Sequence, residues 1–175
     1  MSKIAWAVIA VVFLAPGVHA QATPAADVAL QASFFNVLTG YTIAMGGASG
    51  SVALNANRWF GVAGDVGVYH GHPSESLTGE TYTIGPRVSC RRFDRLVPYA
   101  EALFGGSHFS ASSGGITGQG SQFAYTLGGG ADIVLSRSGK AGLRLEGSYF
   151  GVRSGGATTP CTRLSAGIVF RVGKR

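Results

Sequence analysis

Charge is scarce in this chain. Only 13% of its 175 residues are Asp, Glu, Lys or Arg, about half the usual share of a soluble domain. Lysine is rarest, with Lys3, Lys140 and Lys174 the only three. Mean hydropathy is nevertheless positive, at +0.25, which excludes a disordered chain. Cysteine is also sparse: two residues, Cys90 and Cys161, cannot build the disulfide framework of a small secreted scaffold. Their spacing from the histidines fits no metal site, and none is expected. Past the first twenty residues there is no apolar run of the ~20 residues that a membrane-spanning helix needs. That lack says nothing against crossing a bilayer with strands.

The first twenty residues, "MSKIAWAVIAVVFLAPGVHA", read differently from the rest. Lys3 is a short basic start, Ile4 to Leu14 an apolar run, and Val18-His19-Ala20 a small-residue cleavage site. This is the pattern of a secretory signal peptide cleaved after Ala20. Residues 21–27 then form a short linker and 28–175 a single domain.

Glycine is abundant, at 28 residues, and in a helix interior each costs ~1 kcal/mol relative to Ala. No apolar 3.6-residue period is sustained after the signal. Alternation with period two recurs instead, as in "SVALNAN", "FGVAGDVGVY", "TYTIGPRVS", "FAYTLGGGADIVL" and "RLSAGIVFRV", the mark of half-covered strands. Eight strands are expected, over 28–37, 49–57, 59–70, 80–91, 97–107, 122–135, 141–152 and 162–173. Their connections alternate strictly. Short ones (Asn57-Arg58, "RRFDRL", "SRSGK") interleave with long ones ("LTGYTIAMGGAS", "GHPSESLTG", "SHFSASSGGITGQGS", "RSGGATTPC"). In an up-and-down meander this puts tight turns on one rim and long loops on the other, the layout of outer-membrane barrels.

The two parities of each strand differ in kind. One carries Leu30, Phe34, Val52, Val62, Val66, Tyr82, Ile84, Phe104, Leu127, Leu143, Leu145, Leu164, Ile168 and Phe170. The other carries Asp65, Arg87, Glu101, Arg144, Glu146 and Arg163 among Gly, Ser and Thr. Three acids face three bases. A cation turned to lipid near the midplane costs ~2–4 kcal/mol, so in a bilayer these six belong inside. The bore of an eight-stranded barrel is just wide enough for side chains to fill, and there each charge needs a partner. A water-exposed face has no such need for balance and normally holds more Lys and Glu. The fold expected is therefore all-β: an eight-stranded antiparallel transmembrane barrel whose lumen is plugged by a structural charge network.

With "GSVALNANRWFGVAGDVG", "GPRVSCRRFDRLVPYAEALFGG", "LGGGADIVLS" and "RLSAGIVFRVGKR" in view, the chain resembles the small bacterial outer-membrane β-barrels of the OmpA/OmpX-like eight-stranded type, closest to porin-family proteins of acidobacteria. The resemblance implies location in a Gram-negative outer membrane, with outer-membrane lipid and the barrel-insertion machinery as partners. Ser165, Gly167, Phe170 and Val172 match the terminal-strand pattern that this machinery reads. Family barrels often end on an aromatic residue; this one continues through "RVGKR".

Cys90 and Cys161 fall at opposite ends of their strands, farther apart than the ~7 Å between Cα atoms that a disulfide tolerates, and are expected to be unpaired. Arg58, Arg91, Arg92, Arg95, Arg137, Lys140, Arg171, Lys174 and Arg175 gather at the short-turn rim, with Asp94 and Asp132 against them. Anionic headgroups of the inner leaflet are the expected neighbours of these cations; nucleic acid is not expected near an exported chain. "SHFSA" places His108 and Ser110 on one parity and faintly resembles the His-x-Ser of outer-membrane lipid A deacylases. The motif's following Asn is Ala111 here, and no acid obviously orients the His. The chain is accordingly expected to be no enzyme, to need no cofactor, and to act as a structural or surface-interaction component of the envelope. A narrow porin-like channel is the alternative, and a lipid-modifying enzyme comes third.

Overall fold

The computed structural model describes residues 24–38, 42–71, 76–93, 95–113, 116–136, 138–154 and 156–173. The signal peptide expected over residues 1–20, Asp94, Arg137, Lys174 and Arg175 lie outside the described residues. Eight strands follow in chain order: β1 Ala26–Leu38, β2 Thr42–Asn55, β3 Phe60–Gly71, β4 Ser76–Ser89, β5 Leu96–Ser113, β6 Ile116–Val134, β7 Ala141–Ser154 and β8 Ala157–Val172. Each pairs antiparallel with the next, and β8 returns to β1, from Ala26↔Val172 to Val37↔Cys161, to close the barrel.

The register fixes the stagger. Register partners followed round the wall from Phe35 run through Arg163, Ser148, Gly128, Glu101, Arg87, Gly61 and Asn55. Asn55 donates its N–H to Ala25, so the circuit returns to β1 at 25 rather than 35. A ten-residue offset requires the strands to tilt against the barrel axis, as closure of a twisted sheet demands.

The tight rim is built from local chemistry. Between β2 and β3, Asn57 Oδ1 accepts the N–H groups of Trp59 and Phe60, both at 2.8 Å, and folds the chain back. Between β6 and β7, Gly139 sits at φ 70°, a left-handed conformation that glycine adopts without strain.

At the opposite end the expected long loops prove to be mostly strand. Residues 42–48, 108–113, 116–121 and 157–161 all continue the ladders. Their Gly, Ser and Thr imitate turn chemistry, yet at some of the glycines near this end a neighbouring backbone or ring takes the space of a side chain. A Cβ on Gly47 would collide with the Val68 carbonyl and the Tyr69 ring, and one on Gly79 with the ring of Phe109. The asymmetry between the rims is therefore one of strand overhang, not of loop length.

The faces sort by parity. Leu30, Val66, Leu145, Leu164 and Ile168 are half to two-thirds exposed on the outer wall, whereas Arg87, Arg144 and Arg163 are buried inside. Along β8, outward side chains from Leu164 to Val172 cover roughly 26 Å of strand at 3.3 Å per residue. Tilted as in membrane barrels, this is about 20 Å of height, close to their ~25 Å apolar band. Tyr82, Phe104, Phe123 and Tyr149 mark the upper edge of the apolar wall, and Phe60 and Phe170 the lower.

Candidate functional site in the lumen and at the external rim

The bore is filled in three tiers, beginning at the tight-turn rim. There Asp27, fully buried at the start of β1, accepts hydrogen bonds from Arg91 Nη2 at 2.5 Å and Asn55 Nδ2 at 3.2 Å, with Arg171 Nε at 3.9 Å. Arg91 and Arg171 thus turn inward to close the mouth, a correction to their expected place among free rim cations. Arg58, Arg92, Arg95 and Lys140 remain exposed.

The middle tier holds the six expected charges and one more. Arg144 grips Asp132 with two parallel bonds, Nε–Oδ1 at 2.7 Å and Nη2–Oδ2 at 3.0 Å, and donates a third to Ser51 at 3.0 Å. Arg163 reaches Asp65 and Glu146, each at 2.6 Å, and also Ser148 and the Tyr69 hydroxyl. Glu146 takes a further hydrogen bond from Tyr99 Oη at 2.8 Å. Arg144 and Glu146, two residues apart, therefore serve different partners. Arg87 is held less directly. Its guanidinium lies 3.6 Å from the centroid of the Tyr99 ring, and its ion pairs to Asp132 and Glu101 stretch to 3.8 and 4.0 Å. Among the described residues, none of its nitrogens finds a hydrogen-bond acceptor.

Asp132, expected at the rim, is instead a main anchor of the lumen. Asp27, read as linker, is the other residue missed. Both had a usable signal: Asp27 has the opposite parity to outward Val28, and Asp132 that of Gly128 and Gly130. Including Arg91 and Arg171, five carboxylates (Asp27, Asp65, Glu101, Asp132, Glu146) face five guanidinium groups.

The third tier, toward the overhanging end, is apolar. Phe35, Met45, Tyr69, Ala124, Phe150, Val152 and Cys161 form one buried cluster, with Val37, Leu77 and Phe109 packed against it. The Phe35 ring lies 4.8 Å from Tyr69 and 5.4 Å from Phe150, centroid to centroid. An aromatic stopper inside the bore was not expected. Residues such as Phe35 and Phe150 sit on the parity read as polar, opposite the outward apolar set (Phe34, Tyr149) by which these segments were read. Tyr69 joins the tiers, stacking on Phe35 while accepting from Arg163.

Cys161 belongs to this stopper, while Cys90 lies in the β4–β5 turn at the other end; both thiols are free. On the outer wall near the overhang, His108 Nδ1 bonds Ser121 Oγ on β6 at 3.0 Å, not Ser110. Glu80 is opposite His108 in register, but among the described residues no ion pair joins them. His70 bonds Thr78 at 3.1 Å.

The closed eight-strand circuit with charges inside and an apolar wall outside has known counterparts. Neisserial surface protein A superposes with a TM-score of 0.72 at 14% identity, covering 84% of this chain and 97% of that one. Ail, the attachment invasion locus protein of Yersinia pestis, gives 0.56 at 17% identity, covering 83% and 97%. The N-terminal barrel domain of Pseudomonas aeruginosa OprF gives 0.56 at 13%, covering 86% and 100%. The fold is that of the small eight-stranded outer-membrane barrels. No protein-family model matches the sequence, and no curated protein does either. The likeness is one of architecture, carried by parity and register rather than by residue identity.

Proposed function

We propose that the chain is an integral outer-membrane barrel that holds its bore shut and acts through its wall and external rim, as a structural or surface-interaction component of the envelope. The observation carrying this reading is the inversion of the faces. Leucines, valines and aromatics cover the outside, while ten balanced charges and an aromatic stopper fill the inside. In water that arrangement would expose a continuous apolar belt far larger than monomeric proteins tolerate. In a bilayer it satisfies both solvents. The chain meets outer-membrane lipid along the belt, and Ser165, Gly167, Phe170 and Val172 present the terminal strand to the insertion machinery during assembly.

With three tiers of side chains filling the bore, no solute is expected to pass. Reconstituted into planar bilayers, the protein is expected to give no steady ohmic steps. Regular steps of uniform size would overturn the closed-bore reading and establish a narrow channel.

A further inference from the structure

The ten lumen charges balance as a whole but not tier by tier. In the middle tier Asp65, Glu101, Asp132 and Glu146 outnumber Arg87, Arg144 and Arg163, four against three. At the tight-turn mouth the excess is reversed, since Asp27 alone answers Arg91 and Arg171. Two further cations belong to that mouth by register. Arg171 donates its N–H to the Lys140 carbonyl and faces Asp27 across the seam, so Lys140, Arg171 and Asp27 share one row over β7, β8 and β1. The Arg95 carbonyl accepts the N–H of Val134, which carries the β5 ladder one residue below Leu96.

Lys140 has the parity of buried Gly142 and Arg144, and Arg95 that of buried Val97 and Tyr99. Both therefore stand on the lumen side of the wall, whereas Leu96, Leu135 and Val172 beside them carry the lipid-facing parity. Arg91 and Arg171 bend in to Asp27, but Lys140 and Arg95 are exposed. Among the described residues the mouth thus holds four cations and one carboxylate, an excess of three positive charges. Asp27 is already shared between two guanidinium groups, and among the described residues the Arg91 Nε donor finds no acceptor. With the bore closed behind these cations, an anion drawn to the mouth stays bound there.

We infer that the tight-turn mouth is a docking site for an acidic peptide segment on the periplasmic side, with Arg95 and Lys140 as its outer contacts and Arg91 at its floor. Carboxylates match both the planar fork of an arginine and the point charge of a lysine. Arg95 and Lys140 begin strands about 10 Å apart, across β6, and a ligand with several carboxylates along one chain engages both at once. Headgroups of the inner leaflet lie on the other side of the backbone, against the lipid-facing parity. This inference rests on the membrane-barrel reading above, which turns the tight rim toward the periplasm, and adds an inner contact to the external one.

The test uses the full mature protein in nanodiscs of zwitterionic phosphatidylcholine, with heat-modifiable gel migration checked first; absence of that shift would sink the barrel reading itself. The probe is a capped, fluorescently labelled tetraglutamate peptide, and the readout is fluorescence anisotropy. Salt is held at about 0.1 M, where charges more than about 10 Å from the ligand are screened. The peptide should bind, and a tetraglutamine peptide should not. Arg95→Gln with Lys140→Gln should weaken binding about ten-fold. Arg58→Gln with Arg92→Gln removes the same charge from the turns themselves and should change binding less than about two-fold. All four side chains are exposed, so both variants should keep the heat-modifiable shift. Equal effects of the two variants would reduce the site to net charge and overturn the inference. So would absence of binding at millimolar peptide, which would leave these cations to anionic headgroups.

Discussion

A guanidinium group inside a narrow barrel is tolerable only if every face of it is answered. Arg163 meets that demand, with Asp65 and Glu146 at 2.6 Å, Ser148 and Tyr69 as acceptors, and the Phe150 ring 4.9 Å away. Removing it strands two buried carboxylates. Arg163→Met should therefore lower stability by about 3–5 kcal/mol, read from urea unfolding in lipid vesicles. Neutralising the partners as well, with Asp65→Asn and Glu146→Gln, should recover most of that loss, because the cost lies in unpaired charge rather than in lost attraction. Gly167 is the second residue on which much turns. It faces Gln31 across the closing seam, where a Cβ would run into the Leu30 carbonyl. Gly167→Ala should impair closure and reduce the fraction showing heat-modifiable migration, leaving strand content by circular dichroism much less affected. The resemblance marked Gly167 as part of an assembly signal; the register adds a steric reason for the glycine.

At the level of elements, the sequence was most legible where side chains alternate strongly. The outward positions of β3, β7 and β8 and the inward Arg144, Glu146 and Arg163 all follow from parity. It was least legible at strand ends, where "GSHFSASS" and "ITGQGSQ" have the composition of loops but the register of strands. Propensity cannot separate a Ser/Gly-rich turn from a Ser/Gly-rich ladder, because the difference lies in which backbone happens to lie alongside. Six of the lumen's ten charges were legible, but not their pairing, since partners such as Arg163 and Asp65 are 98 positions apart. The turns of the tight rim make a further expectation. Arg58, Arg92, Arg95 and Lys140 are exposed there, and each should favour anionic lipid by about 1 kcal/mol at low salt. Changing all four to Gln should reduce reconstitution yield into vesicles containing phosphatidylglycerol but not into purely zwitterionic ones. Arg91→Gln, by contrast, should weaken the barrel in both lipids, because Arg91 is spent on Asp27.

The whole molecule has one core, and it lies along the axis rather than between layers. Charge clamp, ion-pair network and aromatic stopper succeed one another from rim to rim, the last two coupled through Tyr69. Around that axis the wall is continuous because β1 and β8 are joined, with Ser33 bonding Ser165 across the junction at 2.8 Å and Ser49 of β2 on its other side at 2.9 Å. The first and last strands of the barrel are thus next-door neighbours. A transcript cut short anywhere, even within the last sixteen codons of the fold, yields a ribbon with two raw margins and nothing to cap either. Such a product has no smaller stable version to fall back on, and its fate is proteolysis or clumping, so quality control of this barrel amounts to asking whether β8 has arrived.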